Sequence, residues 1–474
     1  MVRTAPLKVV KEAELLSAEA SLYEIRQKIY PRSVSGWFAR WRVALVMATQ
    51  LLFYGLPWLT WNARPAVLFD LAARKFYIFG IVFWPQDFIF LAGLLVIAAL
   101  SLFLFTAVGG RLFCGYACPQ TVYTAMFMWI ERKVEGDRAQ RIKLDGAALS
   151  AGKVLRKAVK HALWISVGLW TGFTFVGYFT PIKILLGEMS HLSLGPWETF
   201  WILFYGFATY GNAGWMREQV CKYMCPYARF QSAMFDADTL TVTYDAQRGE
   251  PRGSRGRSAD FQAKGLGACV DCGICVQVCP TGIDIRRGLQ YECIGCAACV
   301  DSCNQVMDKM AYPRGLIRYS TENALKQRMT PSQMAARVFR PRVLVYIGLL
   351  AVIVTVWGVA LVLRSPLKVD VIRDRAALMR ETRAGKIENV YRLQIMNTDE
   401  QAHRYVIKAS GLSNMRIKPV APVAVPGATT QAIVVTLEVD PAKIKPGSHN
   451  IMFHIEDIEQ PAIRADEKSR FIIK

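Results

Sequence analysis

The sequence predicts a multi-domain chain made of a five-span α-helical transmembrane bundle, a small cysteine-rich domain and a C-terminal immunoglobulin-like β-sandwich. Three observations lead to this prediction. Five apolar stretches free of Lys and Arg recur along the chain, eight cysteines fall in a repeated run of short spacings, and the tail alternates apolar with polar residues between turn residues. With 474 residues, 53% of them hydrophobic, the chain is long enough for several domains.

Each apolar stretch is close to the ~20 residues that a helix needs to cross a bilayer. Tryptophans near their ends suit the membrane–water interface. No apolar segment follows the first few residues, which argues against a cleaved signal peptide. The third and fourth stretches contain Gly and Thr, so a buried helix hairpin is the alternative for that pair. The five stretches are residues 43–61, 86–108, 161–180, 197–215 and 343–363.

The distribution of basic residues predicts the topology. Residues 1–42 hold eight Lys and Arg, 109–160 hold ten and 216–342 hold eighteen, whereas 62–85 hold three and 181–196 hold one. Because basic loops stay in the cytoplasm, the first three segments are predicted to be cytoplasmic and the tail to lie outside. Much of the net charge of +21 is thus a topology signal, which argues against nucleic-acid binding.

These observations divide the chain into five predicted parts. They are a cytoplasmic basic segment (1–42), a four-span membrane domain (43–215), a cytoplasmic cysteine-rich domain with a Gly/Arg/Ser-rich linker at 245–264 (216–342), a fifth span (343–363) and an outer β-sandwich (364–474).

The tail is predicted to form six or seven short strands without a disulfide, since all twelve cysteines lie between Cys114 and Cys303. Turn residues such as Gly411 and Pro426-Gly427 separate the strands. About a hundred residues with this pattern indicate an immunoglobulin-type sandwich. The predicted strands include residues 367–372, 388–396, 402–409, 430–439, 448–455 and 469–473.

The cysteine-rich domain carries two C-x2-C-x2-C-x3-C runs, which are the bacterial two-cluster ferredoxin pattern. In such proteins the fourth cysteine of each run ligates the other cluster. The predicted ligands of the first [4Fe–4S] cluster are therefore Cys269, Cys272, Cys275 and Cys303, and those of the second are Cys293, Cys296, Cys299 and Cys279.

Small residues in both runs, among them Gly273 and Gly295, let the backbone approach the cluster sulfurs. Zinc is the alternative metal, but zinc sites pair C-x2-C units across a longer gap. Clusters that stabilise the fold without transferring electrons are a second alternative. The second run ends in Cys303-Asn304, where the pattern has Cys-Pro, so the local geometry is expected to differ there.

A second cysteine motif occurs twice. Cys114-Gly-Tyr-Ala-Cys118-Pro and Cys221-Lys-Tyr-Met-Cys225-Pro stand 107 positions apart, each at the predicted cytoplasmic end of a span. Cysteines four apart share a helix face, and paired thiolates select Cu(I), zinc or iron–sulfur clusters. Copper binding, a third cluster, a dithiol–disulfide couple and simple packing all remain open, although the duplication favours a redox or metal role.

Other candidates are weaker. Asp87 and Glu198 occupy matching outer ends of the second and fourth stretches, where interaction with the helix dipole is the favoured explanation. His161 is expected to mark a membrane boundary. No nucleotide-binding signature is present, so no electron donor is visible. Outside the membrane, the metal-binding candidates of the predicted outer loop are Glu188, Met189 and His191. Those of the tail are His449, Met452 and His454, which are expected to belong to the sandwich core instead.

Spans bearing two Cys-x3-Cys-Pro motifs, a double ferredoxin run, a final span and a β-sandwich tail resemble the FixG/CcoG family. These proteins are accessory to assembly of cbb3-type cytochrome c oxidase, and the resemblance covers nearly the whole chain. It implies reduction of Cu(II) to Cu(I) in the bacterial inner membrane, with a periplasmic tail. Implied partners are membrane lipid, oxidase assembly factors, copper carriers and an unknown electron donor. The copper-handling, catalytic residues would be Cys114, Cys118, Cys221 and Cys225.

Two other functions fit the same motifs. A quinol-linked membrane ferredoxin would relay electrons to a partner reductase without copper. Such relays are expected to lack the long outer tail, which this chain has. Alternatively, the outer sandwich would make the protein a scaffold for oxidase assembly factors.

Overall fold

The structure is a computed structural model that describes residues 28–62, 64–257, 263, 265–374, 379–383, 385–441 and 444–473. The chain divides into two compact units. The first holds the described parts of Met1–Arg40, Trp129–Lys160 and Val242–Tyr319, and the second holds those of Trp41–Met128, His161–Thr241 and Ser320–Lys474.

Fifteen α-helices are assigned within the described residues. In chain order they are α1 (Trp37–Gly55), α2 (Phe88–Gly109), α3 (Leu112–Tyr116), α4 (Pro119–Glu135), α5 (Arg138–Gly146), α6 (Ala151–Val176), α7 (Ile182–Ser190), α8 (Pro196–Tyr210), α9 (Pro226–Met234), α10 (Ala246–Gly249), α11 (Ile274–Gln277), α12 (Ala298–Met310), α13 (Glu322–Lys326), α14 (Pro331–Ala336) and α15 (Pro341–Val362). Two π-helical segments, Gly211–Met216 and Val220–Met224, lie between α8 and α9.

The strands, again within the described ranges, are β1 (Thr60–Trp61), β2 (Arg64–Pro65), β3 (Val67–Asp70), β4 (Lys75–Ile78), β5 (Ile81–Phe83), β6 (Thr241–Tyr244), β7 (Ile317–Ser320), β8 (Leu367–Arg373), β9 (Arg380–Glu381), β10 (Ile387–Asn397), β11 (His403–Ser410), β12 (Arg416–Lys418), β13 (Val423–Val425), β14 (Thr430–Val439), β15 (Gly447–Asp457) and β16 (Arg464–Ile473).

Among the described residues, two helices are long and apolar enough to cross a membrane, namely Pro85–Gly109, which includes α2, and Pro341–Val362, which is α15. Both lie within one or two residues of the second and fifth predicted spans. They pack side by side in the second unit, where the indole nitrogen of Trp357 donates to the carbonyl of Phe90 at 2.9 Å. Gly93 makes room for this ring, since a Cβ there would lie 2.6 Å from Trp357.

The other three predicted spans have different boundaries. Helix α1 begins at Trp37 and ends at Gly55, because Pro57 starts a 3₁₀ turn that leads into β1. Helix α6 begins at Ala151, ten residues before the predicted start, so its first turns carry Lys153, Arg156, Lys157 and Lys160. Helix α8 is 15 residues long. The number of spans therefore stays a prediction beyond α2 and α15.

Glycines bring α6 and α8 into close contact. A Cβ on Gly168 would lie 2.7 Å from the carbonyl oxygen of Gly206, and one on Gly172 would meet the carbonyl of Ile202. Small residues four apart are a common way for membrane helices to approach each other. The glycines that weakened the span prediction in this region thus have a packing role.

The first unit joins the N-terminal segment to the cysteine-rich domain. Asp301 of α12 is buried and accepts hydrogen bonds from the backbone amides of Phe38 (3.3 Å) and Ala39 (2.8 Å), in the first turn of α1. A carboxylate there satisfies free N–H groups and suits the helix dipole. Any side chain at Gly36 would collide with it. The described end of the segment that the sequence indicated only as basic, residues 28–40, is therefore a structural part of this domain, and residues 1–27 of that segment lie outside the described residues.

The predicted linker at 245–264 is also partly ordered. Arg255 donates to the carbonyl oxygens of Cys269 (3.2 Å) and Gly267 (2.6 Å) and lies over the ring of Tyr312. Residues 258–262 and 264 lie outside the described residues. The described part thus packs on the cysteine-rich domain instead of spanning free space.

The C-terminal domain is the predicted immunoglobulin-like sandwich. One sheet has the strand order β12-β14-β10-β8, with β9 pairing with β10, and the other has β13-β11-β15-β16. Neighbouring strands in both sheets pair antiparallel. Between the sheets lie fully buried aromatic side chains, of which the largest are Tyr391, Tyr405, Phe453 and Phe471.

The loop between α1 and α2, which is predicted to lie outside the membrane, folds as well, and the sequence did not predict this. Strands β3, β4 and β5 form a small sheet, and Val82 and Trp84 pack against Met396 of the sandwich. Lys75 donates to the carbonyl of Ala428 at 2.7 Å, and Arg64 pairs with Glu400. This loop therefore anchors the sandwich within the second unit.

Asp87 is the charged centre of this anchor. Its carboxylate is buried, accepts from the amide of Trp84 at 3.0 Å, and forms ion pairs with Arg364 at 2.6 Å and with Lys368. Both cations follow α15, where the chain enters β8. Glu198, at the matching end of α8, lies in the first helical turn. Interaction with the helix dipole therefore does not account for the main contacts of Asp87, which are its two ion pairs.

We expect Asp87→Asn to destabilise the second unit by about 3 kcal/mol, because it leaves Arg364 buried without its counter-charge. The thermal unfolding midpoint of the detergent-solubilised protein would measure this loss. The matched control is Glu198→Gln, which should leave the midpoint nearly unchanged. Equal midpoints for both variants would contradict the anchoring role.

Candidate iron–sulfur and thiol sites

The cysteine-rich domain encloses two cysteine-lined cavities that match the predicted ligand sets. One is lined by the predicted second-cluster ligands together with Cys275, and the other by the predicted first-cluster ligands. Cys279 and Cys303 each lie with the cysteines of the other run, as the crossed pattern predicts. The cavity walls are otherwise mainly apolar side chains, including Ile283, Ile285, Val306 and Leu316.

The backbone of the two runs turns in the same way. Asp271 (φ 51°) and Gly273 (φ 64°) of the first run correspond to Gly295 (φ 66°) and Ala297 (φ 54°) of the second. These left-handed residues curl each run around its cavity before α11 and α12 begin. Glycine or small residues fit such positions with least strain. Their small size, noted from the sequence, thus also reflects this turn.

The chemistry of these cavities fits an iron–sulfur cluster. Burial raises the pKa of the Cys303 thiol to about 12 and that of Cys275 to about 11, and it raises the pKa of Cys299 well above the usual value. Without metal these thiols would stay protonated. Bound iron supplies the positive charge that holds them as thiolates, so the donor set suits a [4Fe–4S] cluster in each cavity.

The departure from the ferredoxin pattern at Asn304 has a structural reason. Cys303 and Asn304 lie in the middle of α12, whereas Cys279 follows the end of α11. Proline inside a helix would remove a backbone hydrogen bond. The Asn304 side chain instead accepts a hydrogen bond from the amide of Gly315 at 3.0 Å.

The second unit contains the two Cys-x3-Cys-Pro motifs, and their surroundings are duplicated. In each, an apolar helix (α2 or α8) leads to a short helical segment that carries the first cysteine. The second cysteine directly precedes the proline that begins the next helix (α4 or α9). Gly110 (φ 57°, ψ −120°) and Arg217 (φ 43°, ψ −111°), 107 positions apart, share one unusual backbone conformation. The repeat seen in the sequence is therefore a structural repeat.

The two halves exchange contacts. Gln120, just after the first proline, donates to the carbonyls of Asn212 (2.9 Å) and Arg217 (3.0 Å) in the second half. Tyr227, just after the second proline, hydrogen-bonds to Thr106 in the first half at 2.5 Å. This reciprocal exchange holds the two motifs together.

All four thiols of these motifs are partly buried and influence one another. Burial raises the pKa of Cys221 to about 12, and the sulfurs of Cys118, Cys114 and Cys225 add to the shift. Burial and Cys118 raise the pKa of Cys114 to about 11, against the opposing effect of Arg111. The structure therefore places the four cysteines that the sequence singled out near enough to influence one another electrostatically, although no three of them are arranged to hold a single metal ion.

Three polar residues at this site were missed from the sequence. Arg111 is buried, and its guanidinium donates to the carbonyl of Ala228 at 2.5 Å. Glu218 is buried at the matching position of the second half, and Gln231 accepts a hydrogen bond from Cys114 at 3.4 Å. The 107-residue offset, extended beyond the cysteines, would have drawn attention to Arg111 and Glu218.

The remaining candidates do not join these sites. Over the described ranges, no three His, Cys, Asp or Glu side chains are arranged to hold a single metal ion. His161 hydrogen-bonds to Tyr210 at 3.0 Å. His454 bonds to Ser410 and Asp466 at 2.7 and 2.6 Å on the half-exposed face of β15, with Met452 beside it. The expectation that both are sandwich core was wrong, because Ile451 and Phe453 face the core instead.

Three family models match the chain. A "4Fe-4S binding domain" matches residues 91–135, which contain the first Cys-x3-Cys-Pro motif, and a "4Fe-4S dicluster domain" matches residues 216–322. An "IG-like fold at C-terminal of FixG" matches residues 357–474.

Curated relatives match over most of their length. The chain is 39% identical to "Nitrogen fixation protein FixG" of Rhizobium meliloti, over 92% of this chain and 88% of the relative. It is 41% identical to "Protein RdxA" of Cereibacter sphaeroides, over 83% and 85%. A solved structure of a FixG-related protein from Vibrio parahaemolyticus matches 23% of this chain and 99% of its own, at 28% identity and a TM-score of 0.22.

The crossed ligand sets predict which variants share a phenotype. Cys279→Ala should remove the same cluster as Cys293→Ala, and Cys303→Ala the same cluster as Cys269→Ala, because each pair lines one cavity. Iron content should fall to about half in every variant. Electron paramagnetic resonance of the reduced protein identifies which signal is lost. If Cys279→Ala and Cys269→Ala lost the same signal, the crossed assignment would be contradicted.

The raised thiol pKa values predict a pH profile. In metal-free protein, Cys114 and Cys221 should be neutral at pH 7, and their alkylation rate should rise about tenfold per pH unit until the pH nears 11. Peptide mass spectrometry after timed iodoacetamide treatment measures this rate. Leu192→Cys, at a position 94% exposed, is the control and should level off near pH 8.5. If the alkylation rate of Cys114 also levelled off near pH 8.5, this would contradict the burial of its thiol.

Proposed function

The chain belongs to the FixG family, and on that premise we propose that it is a membrane-bound protein that reduces Cu(II) to Cu(I) for assembly of cbb3-type cytochrome c oxidase. The coarser part of this function rests directly on the comparisons. Relatives at 39–41% identity and the 4Fe–4S family models make the chain an iron–sulfur electron-transfer protein.

The observation that carries the copper step is the convergence of four thiols from two distant motifs. Cys114 and Cys221 are 107 positions apart, yet Cys114 raises the pKa of Cys221. Thiolates are soft ligands that prefer Cu(I) over Cu(II). A site that binds the product more tightly than the substrate favours the reduction thermodynamically.

The reaction needs one electron and no atom transfer, since Cu²⁺ plus an electron gives Cu⁺. When bound, each [4Fe–4S] cluster supplies electrons one at a time, and its ligands would be the two sets of four cysteines named above. The paired thiols would bind the copper ion. Each thiol that forms a sulfur–copper bond releases its proton to water, so Cu(I) retention should weaken as the pH falls.

The proposed location is the bacterial inner membrane. Helices α2 and α15 have the length and composition of spans, and basic residues favour a cytoplasmic cysteine-rich domain and a periplasmic sandwich. The proposed partners are membrane lipid, copper carriers, oxidase assembly factors and an electron donor whose identity is open. The sandwich, anchored through Asp87 and the outer loop, is the surface that we propose for the assembly factors.

An anaerobic assay tests the copper step. Purified protein is reduced, the reductant is removed, Cu(II) is added, and Cu(I) is followed with a chromogenic chelator. We expect wild type to form Cu(I), and a variant with Cys114, Cys118, Cys221 and Cys225 all changed to Ser to lose at least about tenfold in rate. The cluster absorption must be unchanged in this variant, which controls for folding.

Two further measurements in the same assay test the proposal. Cys269→Ala should also lose copper reduction, because its site can no longer hold a complete cluster. Equal rates in wild type and the four-serine variant would mean that copper reacts without the thiols and would contradict the proposal. Rapid reduction of the clusters by menaquinol, together with that result, would favour the quinol-linked relay.

A further inference from the structure

Gln231 is a buried amide beside one thiol of the four. It lies on α9, and no part of its side chain is exposed. The thiol of Cys114 donates to its Oε1 at 3.4 Å. Its Nε2 lies near the hydroxyl of Tyr227 but makes no hydrogen bond of acceptable geometry. A buried N–H group without a partner costs free energy, so this nitrogen is available for a partner that the resting site does not provide.

The amide makes the two motifs unequal. The position 107 residues earlier than Gln231 is occupied by Thr124, which has no amide and receives a hydrogen bond from Gln120 at 3.4 Å. Cys114 and Cys221 are therefore equivalent in the repeat but not in their surroundings.

The position of Gln231 is fixed from the side of the first motif. Arg111, three residues before Cys114, donates to the carbonyl of Ala228, which lies one helical turn before Gln231 on α9. The contact ties α9 to the segment that carries Cys114. The distance between the amide and the sulfur is thus set by two contacts, not by one flexible side chain.

We propose that Gln231 is a positioning residue for copper, which rotates its amide so that Nε2 donates to the Cys114 sulfur once that sulfur binds Cu(I). This inference rests on the proposed function. In the thiol state Sγ–H donates to Oε1. When the sulfur–copper bond forms, the proton leaves to water, no electron moves in this step, and the sulfur becomes an acceptor.

Rotation about the last side-chain bond exchanges the oxygen and nitrogen at nearly the same positions. The rotated amide therefore satisfies both the unpartnered nitrogen and the metal-bound sulfur. Hydrogen bonds to a metal ligand tune its affinity. Cys114 is accordingly the thiol whose copper bond the protein supports most directly.

Cu(I) affinity, measured anaerobically by competition with a chromogenic Cu(I) chelator, tests the inference. Gln231→Leu and Gln231→Ala both remove the amide, and both should weaken Cu(I) binding about tenfold. Thr124→Val changes the matching position of the other half and should leave the affinity unchanged. The near-ultraviolet sulfur-to-copper absorption should shift in the Gln231 variants, and intact cluster absorption checks their folding.

A double-mutant cycle separates positioning from general structure. Gln231→Leu should have no further effect when Cys114 is already Ser, and should keep its effect when Cys221 is Ser. An equal loss in both backgrounds, or wild-type affinity for Gln231→Leu, would overturn the inference while leaving the proposed function intact. If wild type and the four-serine variant bind Cu(I) equally, the proposed function fails and this inference fails with it.

Discussion

Cysteine sulfur held away from water is the constraint around which both chemical sites are built. Burial raises the pKa of thiols in the cluster cavities and in the paired-thiol site, to about 12 for both Cys303 and Cys221. A thiolate is stable in such surroundings only when positive charge is nearby. The fold therefore buries sulfurs such as those of Cys303 and Cys221, which stay neutral without metal and ionise when metal binds.

The two sites reach this condition by different backbone geometry. Around the cluster cavities, short loops curl through left-handed residues such as Gly273 and Ala297, so that neighbouring cysteines face one point. In the paired-thiol site, helix ends supply the cysteines, and the prolines that follow start new helices. The first arrangement draws each ligand set largely from one stretch of chain. The second needs two copies of one unit, and reciprocal contacts such as that of Gln120 hold the copies together.

Charge at the predicted outer end of the second unit has a mainly structural use. Asp87 receives Arg364 and Lys368 where the chain leaves α15 for the sandwich, and the small sheet of the outer loop packs on the same domain. These contacts attach the sandwich to the helices of the second unit.

Local spacing in the sequence was sufficient for several features that depend on neighbouring residues. The C-x2-C-x2-C-x3-C runs predicted two crossed ligand sets, and the structure gathers the same cysteines around two cavities, because so short a loop leaves few ways to arrange its sulfurs. Uninterrupted apolar residues predicted α2 and α15 to within two residues. Alternation predicted most strands of the sandwich, although it did not show that Met452 and His454 face outward, since a period of two defines two faces without saying which is covered.

Only the tertiary structure decided features that join distant parts of the chain. Lys157 and Lys160 are helical because they pair with buried Glu135 at 2.9 and 3.0 Å, so α6 starts earlier than its apolar residues suggest. Asp301 caps α1 across 263 positions of chain, and Gln231 meets Cys114 across 117. The sequence determined which residues carry the chemistry, because residue type and spacing set what a segment can bind. The packing of helices determined which buried polar groups surround them, because such contacts depend on how distant segments fold against each other.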